Sequence, residues 1–101
     1  MKAHEHVILE IARERERQIE GEGWTPEHDD EHVDGELAMA AATYAIHAAK
    51  GGAHQPGSRP LIWPWDVAWW KPKDPRRDLI RAAALIVAEI ERLDRSKADA
   101  R

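Results

Sequence analysis

Apolar residues in the first quarter of the chain fall at helical spacing. Val7, Ile8, Ile11, Ala12 and Ile19 recur between Glu5 and about Glu20, with Arg13, Glu14, Arg15, Glu16 and Arg17 on the other faces. The pattern predicts an amphipathic helix, stopped by Gly21 and Gly23, with Trp24 as the first large apolar residue after the break. Thr25-Pro26-Glu27 reads as an N-cap, a proline at the first helical position and an acidic first turn, so His28 to His32 is expected on a short helical turn. A second long helix opens at Asp34-Gly35-Glu36 and runs to about Lys50, where Gly51-Gly52 ends it. Its interior, Leu37 to Ile46, is small on nearly every face, which suits a central helix or one in a subunit interface.

Residues 51–60 carry no core-forming side chain and are expected as a loop, and Pro60, Pro64, Pro72 and Pro75 keep the following Trp-rich stretch irregular. Asp74-Pro75 starts the last helix, which the apolar positions Leu79, Ile80, Ala83, Leu85, Ile86, Val87, Ile90 and Leu93 carry to about Arg95. Ser96–Arg101 is then a frayed polar tail beyond a single domain over residues 1–95. No stretch alternates with period two and no repeat is visible. The expected fold is all-α: three helices, a short helical turn after the first, and an irregular Trp/Pro-rich connection before the last.

The chain's 101 residues suit one small domain with a thin core, which makes a homo-oligomer an expectation. There is no cysteine, so neither disulfides nor thiolate metal sites contribute. No apolar run reaches the roughly 20 residues of a membrane span, and Met1-Lys2-Ala3-His4-Glu5-His6 is too polar for a signal peptide, so a cytoplasmic protein without membrane partners is expected. Net charge is −4, but residues 1–50 hold 5 Lys/Arg against 12 Asp/Glu while residues 51–101 hold 10 against 7. That split argues against duplex nucleic acid as a partner, which needs a sustained basic surface, and leaves room for a small anion.

Candidate chemistry centres on Trp63, Trp65, Trp69 and Trp70, which lead into Lys71, Lys73, Arg76 and Arg77. Indoles stack on flat rings and the cations can hold phosphate oxygens. Two readings stand side by side: some indoles plug the core while carboxylates from the acidic half neutralise the arginines, or rings and cations together form a phosphate-binding site at the N-terminus of the last helix. Trp24, Arg17, His28, Asp29 and Asp30 are the further candidates for contacting such a ligand. His28-Asp29-Asp30-Glu31-His32 also admits a metal reading, with Asp29, Asp30, His32 and Glu36 as the alternative ligand set and Mg²⁺ as the ion. No phosphate loop or nucleophile–base arrangement supports a catalytic residue, and no cofactor is expected otherwise.

Glu14-Arg15-Glu16-Arg17-Gln18-Ile19, Glu22-Gly23-Trp24-Thr25-Pro26-Glu27-His28-Asp29-Asp30-Glu31-His32, Gly35-Glu36-Leu37-Ala38, Trp63-Pro64-Trp65, Trp69-Trp70-Lys71-Pro72, Arg76-Arg77-Asp78-Leu79 and Ala88 to Arg95 resemble, over nearly the whole chain, a family of small phage and prophage proteins to which no activity is attached. Arg17, Gly23-Trp24-Thr25, Asp29-Asp30 and Arg77-Asp78 are similar to the ryanodine-receptor repeat domain, although the Tyr-Gly, His-Pro and Leu-Pro-Glu segments of that domain are missing. That likeness implies binding of nucleotide-derived signals. A third likeness is to the all-helical nucleotide pyrophosphohydrolases: Glu27-x-x-Asp30, Glu31-x-x-Asp34 and Glu91-x-x-Asp94 match one half of their Mg²⁺ cage, and the Glu-x-x-Glu half has no counterpart on the first helix. Together these imply a phage protein that sequesters a small nucleotide-like anion, such as a cyclic-nucleotide or ADP-ribose-type immune signal, in an anti-defence role. The alternatives are a Mg²⁺-dependent pyrophosphohydrolase and an inhibitor that docks on a host enzyme through its Trp patch.

Overall fold

The computed structural model describes residues 1–51 and 60–99. It contains α1 (Ala3–Glu22), α2 (Pro26–Asp29), α3 (Glu36–Ala49), a single 3-10 turn (Val67–Trp69) and α4 (Pro75–Asp99), with no strand among the described residues. The all-α architecture expected from the apolar spacing is the one observed. The loop expected over 51–60 lies, apart from Gly51 and Pro60, outside the described residues.

Local signals set the boundaries. Gly23 takes a left-handed conformation (φ 75°) and the Trp24 N–H reaches back six residues to the Gln18 carbonyl at 3.0 Å, a closure that turns the chain sharply out of α1. The Thr25 hydroxyl accepts the His28 N–H at 3.2 Å with Pro26 at the first helical position. Gly35, at φ 82°, leads into α3, and the Asp74 carboxylate accepts the Arg77 N–H at 3.0 Å at the start of α4. α4 runs on to Asp99 instead of fraying after Arg95, because Ser96, Lys97 and Ala98 contain no helix breaker and Lys97 suits the negative end of the helix dipole.

α4, about 37 Å long, is the spine of the molecule. On one side it packs against α3, where Ala40, Ala41, Ala82, Ala84 and Ala88 allow close approach and Leu37, Tyr44 and Leu85 are sealed between the helices. The Trp-rich connection closes this core, with the Trp70 ring 4.8 Å from Tyr44 and 5.0 Å from Trp63. On its other side α4 meets α1 through charge. The residues of α1 that are buried are Glu14, Arg15 and Gln18, whereas Val7, Ile8 and Leu9 are exposed. The apolar face of α1 is therefore not its packed face: α4 offers Arg77 and Glu91 to α1, and α2 offers Asp29, so a polar set of α1 side chains is drawn inward.

Candidate functional site

A cleft of about 420 Å³ opens where the end of α1, α2 and the Trp-rich connection meet. Trp24, Trp65 and Trp69 wall it, Leu37 lies at its apolar base, and Glu22, His28, Asp29, His32 and Asp66 supply polar groups. Trp65 links the cleft rings to the core, 5.8 Å from Trp24, 5.1 Å from His32 and 5.4 Å from Trp63. Trp69 is 45% exposed, so one indole face is available to a guest. The size and the mixture of aromatic walls with a few polar groups are those of a small-molecule site.

Each wall is held by a specific contact. The Asp66 carboxylate accepts the Ala68 N–H at 2.9 Å and starts the 3-10 turn that carries Trp69 outward. The Trp63 indole N–H donates to the Asp66 carbonyl at 3.1 Å, fixing the segment from the core side. Past Trp70, the chain is tied down by three buried groups. Arg81 donates to the Lys71 carbonyl, the Tyr44 hydroxyl accepts the Lys71 N–H at 3.4 Å, and Asp78 accepts the Lys73 N–H at 2.7 Å while its other oxygen meets His47 Nδ1 at 2.7 Å.

Arg15, outside the cleft's lining, braces two of its wall residues. Its guanidinium donates to Asp29 at 2.8 Å, to the Trp24 carbonyl at 3.2 Å and to Glu91 at 3.0 Å, which joins α1, α2 and α4 to the Trp24 wall. Burial pushes the Asp29 carboxyl above its ordinary value even though the Arg15 charge and hydrogen bond pull it down. In the sequence Arg15 is one of several charges on α1 and no spacing rule marks it, since its carboxylate partners lie 14 and 76 residues away.

The expected residues divide into two sets. Trp24, His28, Asp29, Trp65 and Trp69 meet at the cleft, joined by Glu22, Leu37, His32 and Asp66. Glu22 and Asp66 were legible only as neighbours of the Gly23 stop and of Trp65. Trp63 and Trp70, 2% and 6% exposed, belong to the core, so no continuous indole patch faces outward.

Among the basic candidates, Arg76 and Arg77 stand apart from the cleft. Arg76 forms a two-pronged pair with Glu10 at 2.8 Å, Arg77 pairs with Glu14, and Arg17 pairs with Glu14 at 2.8 Å and with Glu22 at 3.1 Å; neither Arg76 nor Arg77 lines the cleft. They hold α1 to α4 because acidic residues of α1 face them. Burial alone would raise the Glu14 carboxyl, but the Arg17 hydrogen bond and the Arg17 and Arg77 charges hold it below its ordinary value. Lys71 and Arg17 both reach the cleft's edge: the Lys71 ammonium lies 5.5 Å from the Trp69 ring centre and 3.9 Å from Glu22, and Arg17 meets the same Glu22 at 3.1 Å. The Lys73 side chain makes no ion pair among the described residues.

Nor does the acidic turn assemble a metal centre. Asp29 faces Arg15, Asp30 accepts two bonds from Arg95 at 3.0 and 2.8 Å, and His32 pairs with Glu36 at 3.3 Å. Among the described residues no three His, Asp or Glu side chains come together as a ligand set. No described helix is long and apolar enough to cross a membrane.

No family model, curated protein or solved structure matches the chain.

Proposed function

We propose that this protein is a non-enzymatic binder that captures a small flat-ringed ligand of the nucleotide type in the Trp24/Trp65/Trp69 cleft. The observation that supports it is the cleft itself: three indole walls around a space of about 420 Å³, with carboxylates and imidazoles at its edge. Base–aromatic stacking contributes about 1–3 kcal/mol per ring, and carboxylates and imidazoles suit the exocyclic amino groups and ribose hydroxyls of a nucleoside. The cleft's lining includes Glu22, Asp29 and Asp66 and no Lys or Arg, so a phosphate would leave the cleft past Trp69, toward Lys71. The likeness to phage proteins supplies the setting: a trap for a nucleotide-derived defence signal in the host cytoplasm, which needs affinity and abundance but no turnover.

Titration with adenosine, ADP-ribose and a cyclic dinucleotide, followed by tryptophan fluorescence and calorimetry, tests this reading. Binding of at least one probe is expected, with the probe recovered intact after heat denaturation and its affinity weakened by about 10-fold or more in Trp69→Ala. Failure of all three probes to bind overturns the reading. Release of pyrophosphate or another cleavage product replaces it with an enzyme.

A further inference from the structure

α4 carries a second apolar face that no described residue covers. Leu79, Ile86, Val87, Ile90 and Leu93 are 52, 49, 38, 53 and 52% exposed, and with Ala83 they form a stripe on the side of α4 opposite the buried Arg81, Ala84, Leu85 and Ala88. The spacing 79, 83, 86, 90, 93 alternates four and three residues, the repeat of a helix that packs lengthwise against another helix. Over about 21 Å of helix no charged residue interrupts it. A contiguous run of exposed large apolar side chains, unlike singly scattered ones, is a candidate contact surface.

We propose that two copies of this chain pair antiparallel through these outer faces of α4, with the two-fold axis at Ile86. The stripe complements itself in that register. Leu79 and Leu93 each lie seven residues from Ile86, so each meets the other's equivalent on the partner, Ile86 meets Ile86, and the small Ala83 accommodates the partner's Ile90. Charge fits as well. Arg76 and Asp94 lie on the same flank of the stripe, ten residues before and eight after Ile86, and an antiparallel two-fold places each Arg76 beside the partner's Asp94. Asp94 has no ion-pair partner within the described residues, and the Arg76–Glu10 pair is open to solvent, so a third charge can join it. A stable dimer takes about 800 Å² from each partner. The stripe supplies an apolar centre, and Arg76, Glu89, Asp94 and Lys97 supply a polar rim.

The absence of cysteine from the chain allows a direct test. Sedimentation equilibrium of the intact protein should show a dimer, and Ile90→Asp should weaken it by about 30-fold or more without loss of helical circular dichroism, because Ile90 is half exposed in the single chain. Under mild oxidation Ile86→Cys should form a covalent dimer, the double variant Leu79→Cys/Leu93→Cys should do the same, and Leu93→Cys alone should not. Crosslinking of Leu93→Cys alone would mean a parallel pair and overturn the register. A monomer at every soluble concentration, with no crosslinking of any variant, would overturn the dimer.

Discussion

The two sides of α4 are built on opposite principles. Against α3 it buries alanines, Leu85 and the Trp63 and Trp70 rings, whereas against α1 it meets Glu10, Glu14 and Arg15 through Arg76, Arg77 and Glu91. On the apolar side each contact is short-ranged and strands no charge when it is lost. On the charged side one guanidinium serves several partners, so a single cut leaves a buried opposite charge exposed to its own desolvation cost. The first side gives the domain its stability, and the second positions α1 and the Trp24 wall of the cleft.

The largest effect belongs to the apolar side. Trp70→Ala should cost about 3–5 kcal/mol, read from urea unfolding, because the ring fills the space between Tyr44, Trp63 and His47 and its loss leaves a cavity. A near-neutral result would mean that the connection repacks and that the contrast between the two sides is false. Arg15→Leu should cost about 3 kcal/mol by stranding Asp29, and Arg15→Leu/Asp29→Leu should restore much of it. On the apolar side, by contrast, a second cut such as Leu85→Ala added to Trp70→Ala can only deepen the loss.

Acid should act on the charged side first. The Glu14 carboxyl is held below its usual 4.5 in the folded chain, so its contribution is complete above that value and disappears as pH falls through the lowered one. Glu10 and Glu36 shift the same way. Asp29 runs opposite: its folded value is raised above 3.8, so its share of stability is present in acid and lost as pH rises through the raised value. With Glu10 and Glu14 lowered on α1 itself and Asp29 raised beneath it, the expected outcome is detachment of α1 in acid while the α3–α4 core persists. It would be seen as a change in Trp24 fluorescence that precedes loss of helical signal, and Glu14→Gln should flatten the pH response. The smallest effect is expected of Arg76→Ala, whose pair with Glu10 lies at the surface, and unfolding midpoints should barely move.

Much of the fold could be read from the chain because its signals are local. Thr25-Pro26, Gly35 and Asp74-Pro75 mark helix starts by backbone chemistry that needs no distant partner. The orientation of α1 was not legible, since Val7, Ile8 and Ile11 carry the periodicity while the packed residues are Glu14, Arg15 and Gln18, whose partners lie on α2 and α4. The site was half legible for the same reason. Trp24, Trp65 and Trp69 mark themselves by size, but which indoles reach the cleft depends on how Asp66 turns the chain. That Arg76 and Arg77 serve α1 depends on the placement of Glu10 and Glu14.

Arg15 ties the cleft to the fastening of the helices, since the same guanidinium that grips Asp29 and Glu91 also holds the Trp24 carbonyl. A molecule wedged against Trp24 therefore presses on the clasp of α1 itself, and its arrival would be registered beyond the rings it touches, as slower amide exchange along the final turns of that helix.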